Sequence, residues 1–581
     1  MSRAVSYPVL ALLVIALAAV ANVAVYQAGM EWFVGQPSLW IVIRNVLAVA
    51  VIVLAGGALI PRDGRTRSAE LVLLLAAALF GIGSAVQFRL GSDAPRQLSN
   101  NEITAVRDSM MSAMHGRASE AQIREEAASV VRQRNGALRR DFEQSRIDTR
   151  LARSLEAAYG PTPDTRRILE SRPRSSGDSI LFRVLPVLVL LGALLLFGRT
   201  SAATLLSSQW RLAGFYGSIA VCLLTLVYLM MSGGVRGANF APQELLKLTL
   251  PIAWAGLLIH YRAAFVANTR ERFARSPLVL WLYTLLLLSS PLLSFIVVRD
   301  FGQFLVISIA QTLLLGYYTR SALYVVLFVA ATLATSMLLL GDTLFTGTTL
   351  LITLAIVVGA VVVLGALERF QRRETLWASA SGVLVLYVTA AFLLVRIPFV
   401  MRLLATPRQR FLLWADLYSR HGNPTWWDSS RQIVEALYAL DAGGAAGRGL
   451  GYGTPFLIPK ASSDFVFAAI VEEMGSAGGI LVILSFIALV VIGLRIASKM
   501  GRDTFGGILV AGYTLLVASQ AFVHIAGTMN ILPMTGITLP LVSSGMSSLL
   551  VSWAIIGAVI ALSARPANAG QRLTIRHGDR G

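Results

Sequence analysis

Two aspartates beside tryptophans are the first residues here with a chemical use. Asp416 follows Trp414 by two positions, and Asp428 directly follows Trp426 and Trp427. A carboxylate against an aromatic wall has its pKa pushed up toward that of a general base. Around them, residues 396–464 hold eight basic side chains, among them Arg408, Arg410, Arg431 and Lys460, against five acidic ones. Arginine forks suit phosphate, so this cluster fits a phosphorylated ligand; it fits anionic lipid headgroups as well. A glycine run from Gly443 through Gly444 to Gly453 completes the stretch.

Other carboxylates stand next to apolar runs, each with a structural reading beside the functional one. Asp464, after Ser462 and Ser463, is placed to cap the helix that follows. Glu472 lies one to two turns inside an apolar span, with Glu473 beside it, where a carboxylate normally faces a polar cavity or a partner. Glu244 and Lys247 are three residues apart on one helical face and can neutralise each other. Asp300 follows Arg299, a local ion pair at an interface. The five histidines are scattered and the single cysteine, Cys222, sits in an apolar run, so no Cys- or His-based metal motif is present. No GxxxxGK[ST] phosphate loop and no GxSxG elbow occurs, which removes support for ATP-driven transport and serine hydrolysis.

What must position these groups is a membrane bundle. Of 581 residues, 56% are hydrophobic and 14% charged, against roughly 25% charged in soluble proteins. Apolar runs of membrane-spanning length recur throughout. The reading is all-α, a polytopic transmembrane helical bundle of about 14 spans: near 9–27, 39–60, 69–88, 179–198, 212–232, 243–261, 277–297, 302–318, 322–340, 347–366, 376–397, 465–494, 506–527 and 547–564. The first run is read as a retained helix, because it lacks a small-residue cleavage site and another span follows closely. Arginine clusters after alternate spans, including Arg62 to Arg67, Arg262 to Arg275 and Arg495 to Arg502, fall on one side. By the positive-inside tendency that side is cytoplasmic, with both termini. Segments 89–178 and 398–464 then face outward. The first reads as a solvated helical insertion, its basic residues interleaved with Glu and Asp, which argues against nucleic acid. The net charge of +19 is explained largely by cytoplasmic arginines.

Several motifs in order resemble the SEDS family (FtsW/RodA/SpoVE). Residues 464–475, DFVFAAIVEEMG, resemble its DFIFAxxxEELG signature. Residues 530–545, NILPMTGITLPLVSSG, are similar to its LPxTGxtLPFvSyGG stretch and contain Pro540 and Ser543. Residues 442–451, AGGAAGRGLG, resemble its glycine turn; Phe240 to Lys247 resembles FQPSExxK and Arg299 to Gly302 resembles QPDLG. The resemblance covers about 69–90 and 179–565. It implies a SEDS-like core of about ten spans over 69–565, two extra N-terminal helices within 1–68, the 89–178 insertion, the 398–464 loop and a basic cytoplasmic tail at 566–581.

The function it implies is a peptidoglycan glycosyltransferase in the bacterial cytoplasmic membrane. Such an enzyme polymerises lipid II outside the membrane and works with a class B penicillin-binding protein as transpeptidase. The family's essential aspartate lies in the outward loop, which points to Asp428, with Asp416 second. Arg410 to Asp416 has the spacing of the family's R…(W/L)LDP element, but the second Asp-Pro is missing and the segment beyond is about five residues longer. Arg408, Arg410, Arg431, Lys460 or a divalent cation, Mg or Mn, would supply positive charge to the pyrophosphate leaving group. Gly443, Gly444, Asp464, Glu472, Glu244, Lys247, Asp300, Pro540 and Ser543 are the further candidate substrate-binding residues. Two alternatives stand beside it: a non-catalytic envelope-assembly scaffold docking through 89–178, and a lipid-linked precursor flippase using Glu472, Glu244 and Lys247.

Overall fold

The computed structural model describes residues 7–32, 39–60, 67–92, 180–199, 241–260, 300–320, 405–415, 417, 424–453, 455, 458–502 and 504–563, with isolated positions between 217 and 359. All regular structure among them is helical. In chain order the helices are α1 (Tyr7–Trp32), α2 (Leu39–Leu59), α3 (Arg67–Ser92), α4 (Ile180–Arg199), α5 (Leu246–His260), α6 (Phe301–Thr319), α7 (Ala405–Ala415), α8 (Pro424–Gly443), α9 (Val466–Met500), α10 (Phe505–Thr528) and α11 (Met546–Ser563). A one-turn 3-10 helix, Pro242–Leu245, leads into α5.

Seven of these are long and apolar enough to cross a membrane: α1, α2, α3, α6, α9, α10 and α11. The chain is a multi-pass membrane protein. The expected spans near 212–232, 277–297, 322–340, 347–366 and 376–397 lie outside the described residues apart from isolated positions, as does most of the 89–178 insertion.

The core is built where α9, α10 and α11 meet α3, α4, α5 and α6. Small residues let backbones approach: Gly557 of α11 packs on Ala193 and Leu190 of α4, and Gly493 of α9 on Thr514 of α10. Trp553 of α11 meets Phe80 of α3 edge-on, with ring centroids 5.7 Å apart. The N-terminal pair α1–α2 packs on α3 through buried polar contacts: Asn45 Nδ2 donates to Asn22 Oδ1 at 2.7 Å and lies 3.4 Å from the Ser84 carbonyl. Between membrane helices such side-chain bonds hold register where apolar contact alone is not selective.

The two ends of the bundle differ. Tyr317 of α6 bonds Ser498 of α9 at 3.0 Å, and the Arg502 guanidinium lies 4.5 Å over the Tyr317 ring. The C-terminal ends of α6 and α9 therefore share one side, together with Arg495, Lys499 and Arg320. At the opposite end, the Ser544 amide of the segment entering α11 donates to the Ser462 carbonyl ahead of α9, and Gly302 at the start of α6 packs against Thr535 and Ile537. Residues 444–453, 458–465 and 529–545 gather at this second end, by the N-termini of α6, α9 and α11.

Part of the expected outward loop is regular. The polar stretch carries two helices, α7 and α8. In α8, Ile433, Val434, Ala436 and Ala439 are buried at helical spacing, and α8 packs on α9.

Candidate functional site

The site is best built from α9 outward. This helix is broken at Gly475, whose φ of 71° and ψ of −179° lie outside helical values. A break leaves backbone donors and acceptors without intrahelical partners, and inside a membrane these must be satisfied by protein. The glycine-rich turn after α8 does this. Arg448 N donates to Glu472 O at 3.0 Å and Gly449 N to Glu473 O at 2.9 Å; Ser476 N donates to Gly444 O at 2.8 Å and Ala477 N to Ala445 O at 3.3 Å. Gly447, Gly449 and Gly451 all have positive φ, the left-handed region that glycine enters without steric cost. Gly443 lies so close to the Val471 carbonyl that a Cβ there would overlap it. Gly443 and Gly444 thus join the turn to α9.

Two ion pairs fix the side chains at this junction. Arg448 Nη1 lies 3.4 Å from Glu472 Oε1. Arg89, near the end of α3, is fully buried; its Nε lies 2.9 Å from Glu473 Oε1 and its Nη2 donates to Gly453 O at 2.8 Å. The second Glu473 oxygen accepts from Gly451 N at 3.2 Å. Glu472 faces a partner, as its position inside a span required. Arg89 was missed by sequence reasoning because its partner is 384 residues away. The available signal was an arginine at the end of an apolar run.

A second polar group is buried between α5, α6, α10 and α11. Lys247 Nζ, 1% exposed, contacts Glu244 Oε2 at 2.6 Å and Gln520 Oε1 at 2.8 Å. Gln303 Nε2 donates to Glu244 Oε1. Gln520 Nε2 continues to Thr538 O at 2.8 Å and Ser548 Oγ at 3.0 Å. The expected Glu244–Lys247 pairing is present, extended by two glutamines that the local spacing did not reveal.

The third group faces the end of the bundle. Arg410 of α7 donates to the Thr535 carbonyl, and Trp414 Nε1 to the Asn530 carbonyl at 2.9 Å. Phe411 packs edge-on between Phe301 and Trp414. A Cβ on Gly536 would stand 3.4 Å from Asp464 Oδ2 and 3.9 Å from Arg410 Nη2, so both charged groups flank the same piece of backbone. Lys460, exposed, lies 3.6 Å from Asp464. Asp464 does not cap α9: Phe465 holds the cap position and no side-chain bond closes it. The carboxylate instead turns toward Lys460 and Arg410. Burial holds the Asp464 carboxyl above its ordinary value, against the pull of Lys460, Ser463 and Arg410.

That shift has a pH consequence. An acid whose folded-state pKa is raised favours folding below its unfolded value and loses that contribution as pH rises through the folded value. Wild type should therefore lose stability relative to Asp464→Asn as pH rises from about 3.8 upward, and thermal midpoints of the two proteins in detergent across pH 3.5 to 7, a window set on the order of the usual carboxylate range, check it. A difference that stays flat, or grows in the other direction, contradicts the burial argument.

The remaining candidates divide clearly. Asp300 caps α6, accepting from Gly302 N at 3.0 Å and Gln303 N at 3.2 Å. Ser543 Oγ donates to Ser463 O and accepts from Leu539 N, tying the segment before α11 to the one before α9. Pro540 is buried in the same segment. Arg408 is half-buried on α7. Asp428 and Arg431 are the fifth and eighth residues of α8, with side chains outside the described set; Asp416 lies outside the described residues altogether. Among the described residues there is no group of three or more His, Cys, Asp or Glu side chains that could hold a metal ion.

Residues 348–567 match the FtsW/RodA/SpoVE family model, described as cell cycle protein. The chain is 36% identical over 146 residues to peptidoglycan glycosyltransferase RodA of Mycobacterium tuberculosis, covering 24% of this chain and 31% of that one. It is 34% identical over 188 residues to a probable peptidoglycan glycosyltransferase FtsW of a Geobacter species, covering 32% and 50%. The chain thus spans half or less of the length of these relatives. A solved structure described as structural coordination of polymerization and crosslinking by a peptidoglycan synthase complex aligns with a TM-score of 0.38 at 19% identity, over 66% of this chain and 89% of that one.

Proposed function

We propose that the chain, whose residues 348–567 match the FtsW/RodA/SpoVE family model, is a peptidoglycan glycosyltransferase. It polymerises lipid II on the outer face of the bacterial cytoplasmic membrane, with both termini in the cytoplasm. The observation that carries this reading is the polar end of the bundle, where Arg410, Lys460 and Asp464 converge beside the helix that bears Asp428.

The reaction joins an acceptor sugar 4-hydroxyl to the anomeric carbon of a second lipid-linked disaccharide and releases undecaprenyl pyrophosphate. A carboxylate of the 398–464 segment takes the hydroxyl proton as the new bond forms; Asp428 is the first choice and Asp416 the second. Arg410 and Lys460, with Arg408 on α7 and Arg431 on α8, meet the negative charge that develops on the leaving pyrophosphate. The buried Glu244–Lys247–Gln303–Gln520 group stiffens the wall beneath. A class B penicillin-binding protein crosslinks the product.

The test is polymerisation of lipid II by purified full-length protein, alone and with its cognate transpeptidase. Wild type should make glycan polymer, and Asp428→Ala should lower the rate by about a hundredfold or more, the size of a lost general base. Polymer that survives Asp428→Ala but not Asp416→Ala moves the base to Asp416. No polymer from wild type under either condition overturns the enzyme reading, and lipid scrambling in vesicles without polymer replaces it with a flippase.

A further inference from the structure

We infer that the N-terminal hairpin α1–α2 is a positioning element for the glycine-rich turn, acting through contact between Ala28 and Gly451. The hairpin stands outside the stretch that matches the family model, yet its outer end is not packed on lipid alone. Ala28 is fully buried, and a Cβ added to Gly451 would overlap the Ala28 Cβ and lie 3.7 Å from the Val25 Cα. Next to it, Leu450 packs on the small apolar cluster of Val25, Val42, Ala85 and Phe88, drawn from α1, α2 and α3. The turn therefore rests on the hairpin on one side and on α9 and Arg89 on the other.

The hairpin itself is fixed well enough to transmit position. Asn22 of α1 and Asn45 of α2 bond each other at 2.7 Å beside Ser84 of α3. At the other end of the pair, Tyr7 donates to the Val53 carbonyl at 2.6 Å and its ring covers Gly57. Gly81 of α3 packs closely on Ala18 of α1. Its outward faces are plain: Leu12, Leu17, Val20 and Leu47 are exposed and suited to lipid. Among the described residues, the hairpin meets the glycine-rich turn at its Ala28 end. Since α8 runs directly into the turn at Gly443, a shift of Gly451 is passed to the helix that bears Asp428.

The inference rests on the proposed polymerase activity for its kinetic arm and is independent of it for its structural arm. Full-length protein in detergent is compared as wild type, Ala28→Leu, Ala28→Val and the lipid-facing control Val20→Leu. Hydrogen exchange is read at residues 447–451, whose amides include Gly449 N on Glu473 O and Gly451 N on Glu473 Oε2. Ala28→Leu should raise exchange there by about tenfold or more while core helices keep their protection. Lipid II turnover should fall about tenfold in kcat with KM within about twofold, the pattern of lost positioning rather than lost binding. Ala28→Val, with a smaller added volume, should fall between and serves if Ala28→Leu does not fold. Exchange and kcat in both Ala28 variants equal to Val20→Leu would overturn the inference. A loosened turn in a protein that makes no polymer would retain the positioning role and reject only the polymerase reading.

Discussion

Replacing Arg89 with Met should cost about 3–5 kcal/mol of stability, because it removes the cationic partner of a carboxylate buried inside the helix bundle. Arg89 is fully buried, and Glu473 is 2% exposed. Their contact at 2.9 Å joins α3 to the first half of α9. The same guanidinium also holds the Gly453 carbonyl at 2.8 Å, so one side chain ties two elements to a third. Arg89→Lys should recover only part of the loss, since an ammonium keeps the charge but not the planar fork that reaches both acceptors. The double variant Arg89→Met with Glu473→Gln should lie closer to wild type than Arg89→Met alone, because the amide keeps an acceptor for Gly451 N without the buried charge. Thermal midpoints in detergent check the series. If the double variant is as unstable as the two single losses added together, the pair is not coupled and the argument fails.

Legibility in the sequence followed locality. Seven of the expected spans could be read because each is apolar over most of its length, and α1, α2, α3, α6, α9, α10 and α11 fall where those runs do. Glu244 and Lys247 could be paired because three residues along a helix put both on one face. Nothing local announced Gln303 or Gln520, which reach the same pair from α6 and α10. Of the two readings open for Asp464, the cap fails for a related reason. Its sequence setting matches a cap, but Lys460 and Arg410 compete for the carboxylate, and Arg410 arrives from α7. The helix α8 had signals that the polar content of the stretch hid: Asn423-Pro424 at its start, buried Ile433, Val434, Ala436 and Ala439 at helical spacing, and Gly443-Gly444 at its end. The general base stays a matter of sequence resemblance, because Asp416 and the Asp428 side chain lie outside the described set.

Gly475→Ala should be strongly destabilising, because it combines a strained backbone with overlap onto backbone. The residue's φ of 71° with ψ of −179° belongs to a region that is essentially confined to glycine, where any other residue pays about 1–3 kcal/mol. Space adds to strain. The new Cβ would meet the Ala445 carbonyl and the Gly447 amide, both backbone groups of the turn, with the Ala445 carbonyl carbon 2.6 Å away. Backbone cannot swing aside as a long side chain can, so the chain has two ways out. It can hold the break and carry the full cost, or straighten α9 through residue 475. Straightening would restore the intrahelical bonds of α9 and cast off the turn, whose four backbone bonds to residues 472–477 exist only because the helix is broken. The second outcome predicts a distinctive result: α9 keeps its protection in hydrogen exchange while the amides of Arg448 and Gly449 lose theirs. In either case the midpoint should fall by the equivalent of about 3 kcal/mol or more. Gly192→Ala in α4 is the informative control, because its added Cβ would meet nothing within 4 Å. A Gly475→Ala protein with wild-type stability and a protected turn would show that the break in α9 is not held by the glycine-rich turn, and would remove the physical basis for placing α8 through it.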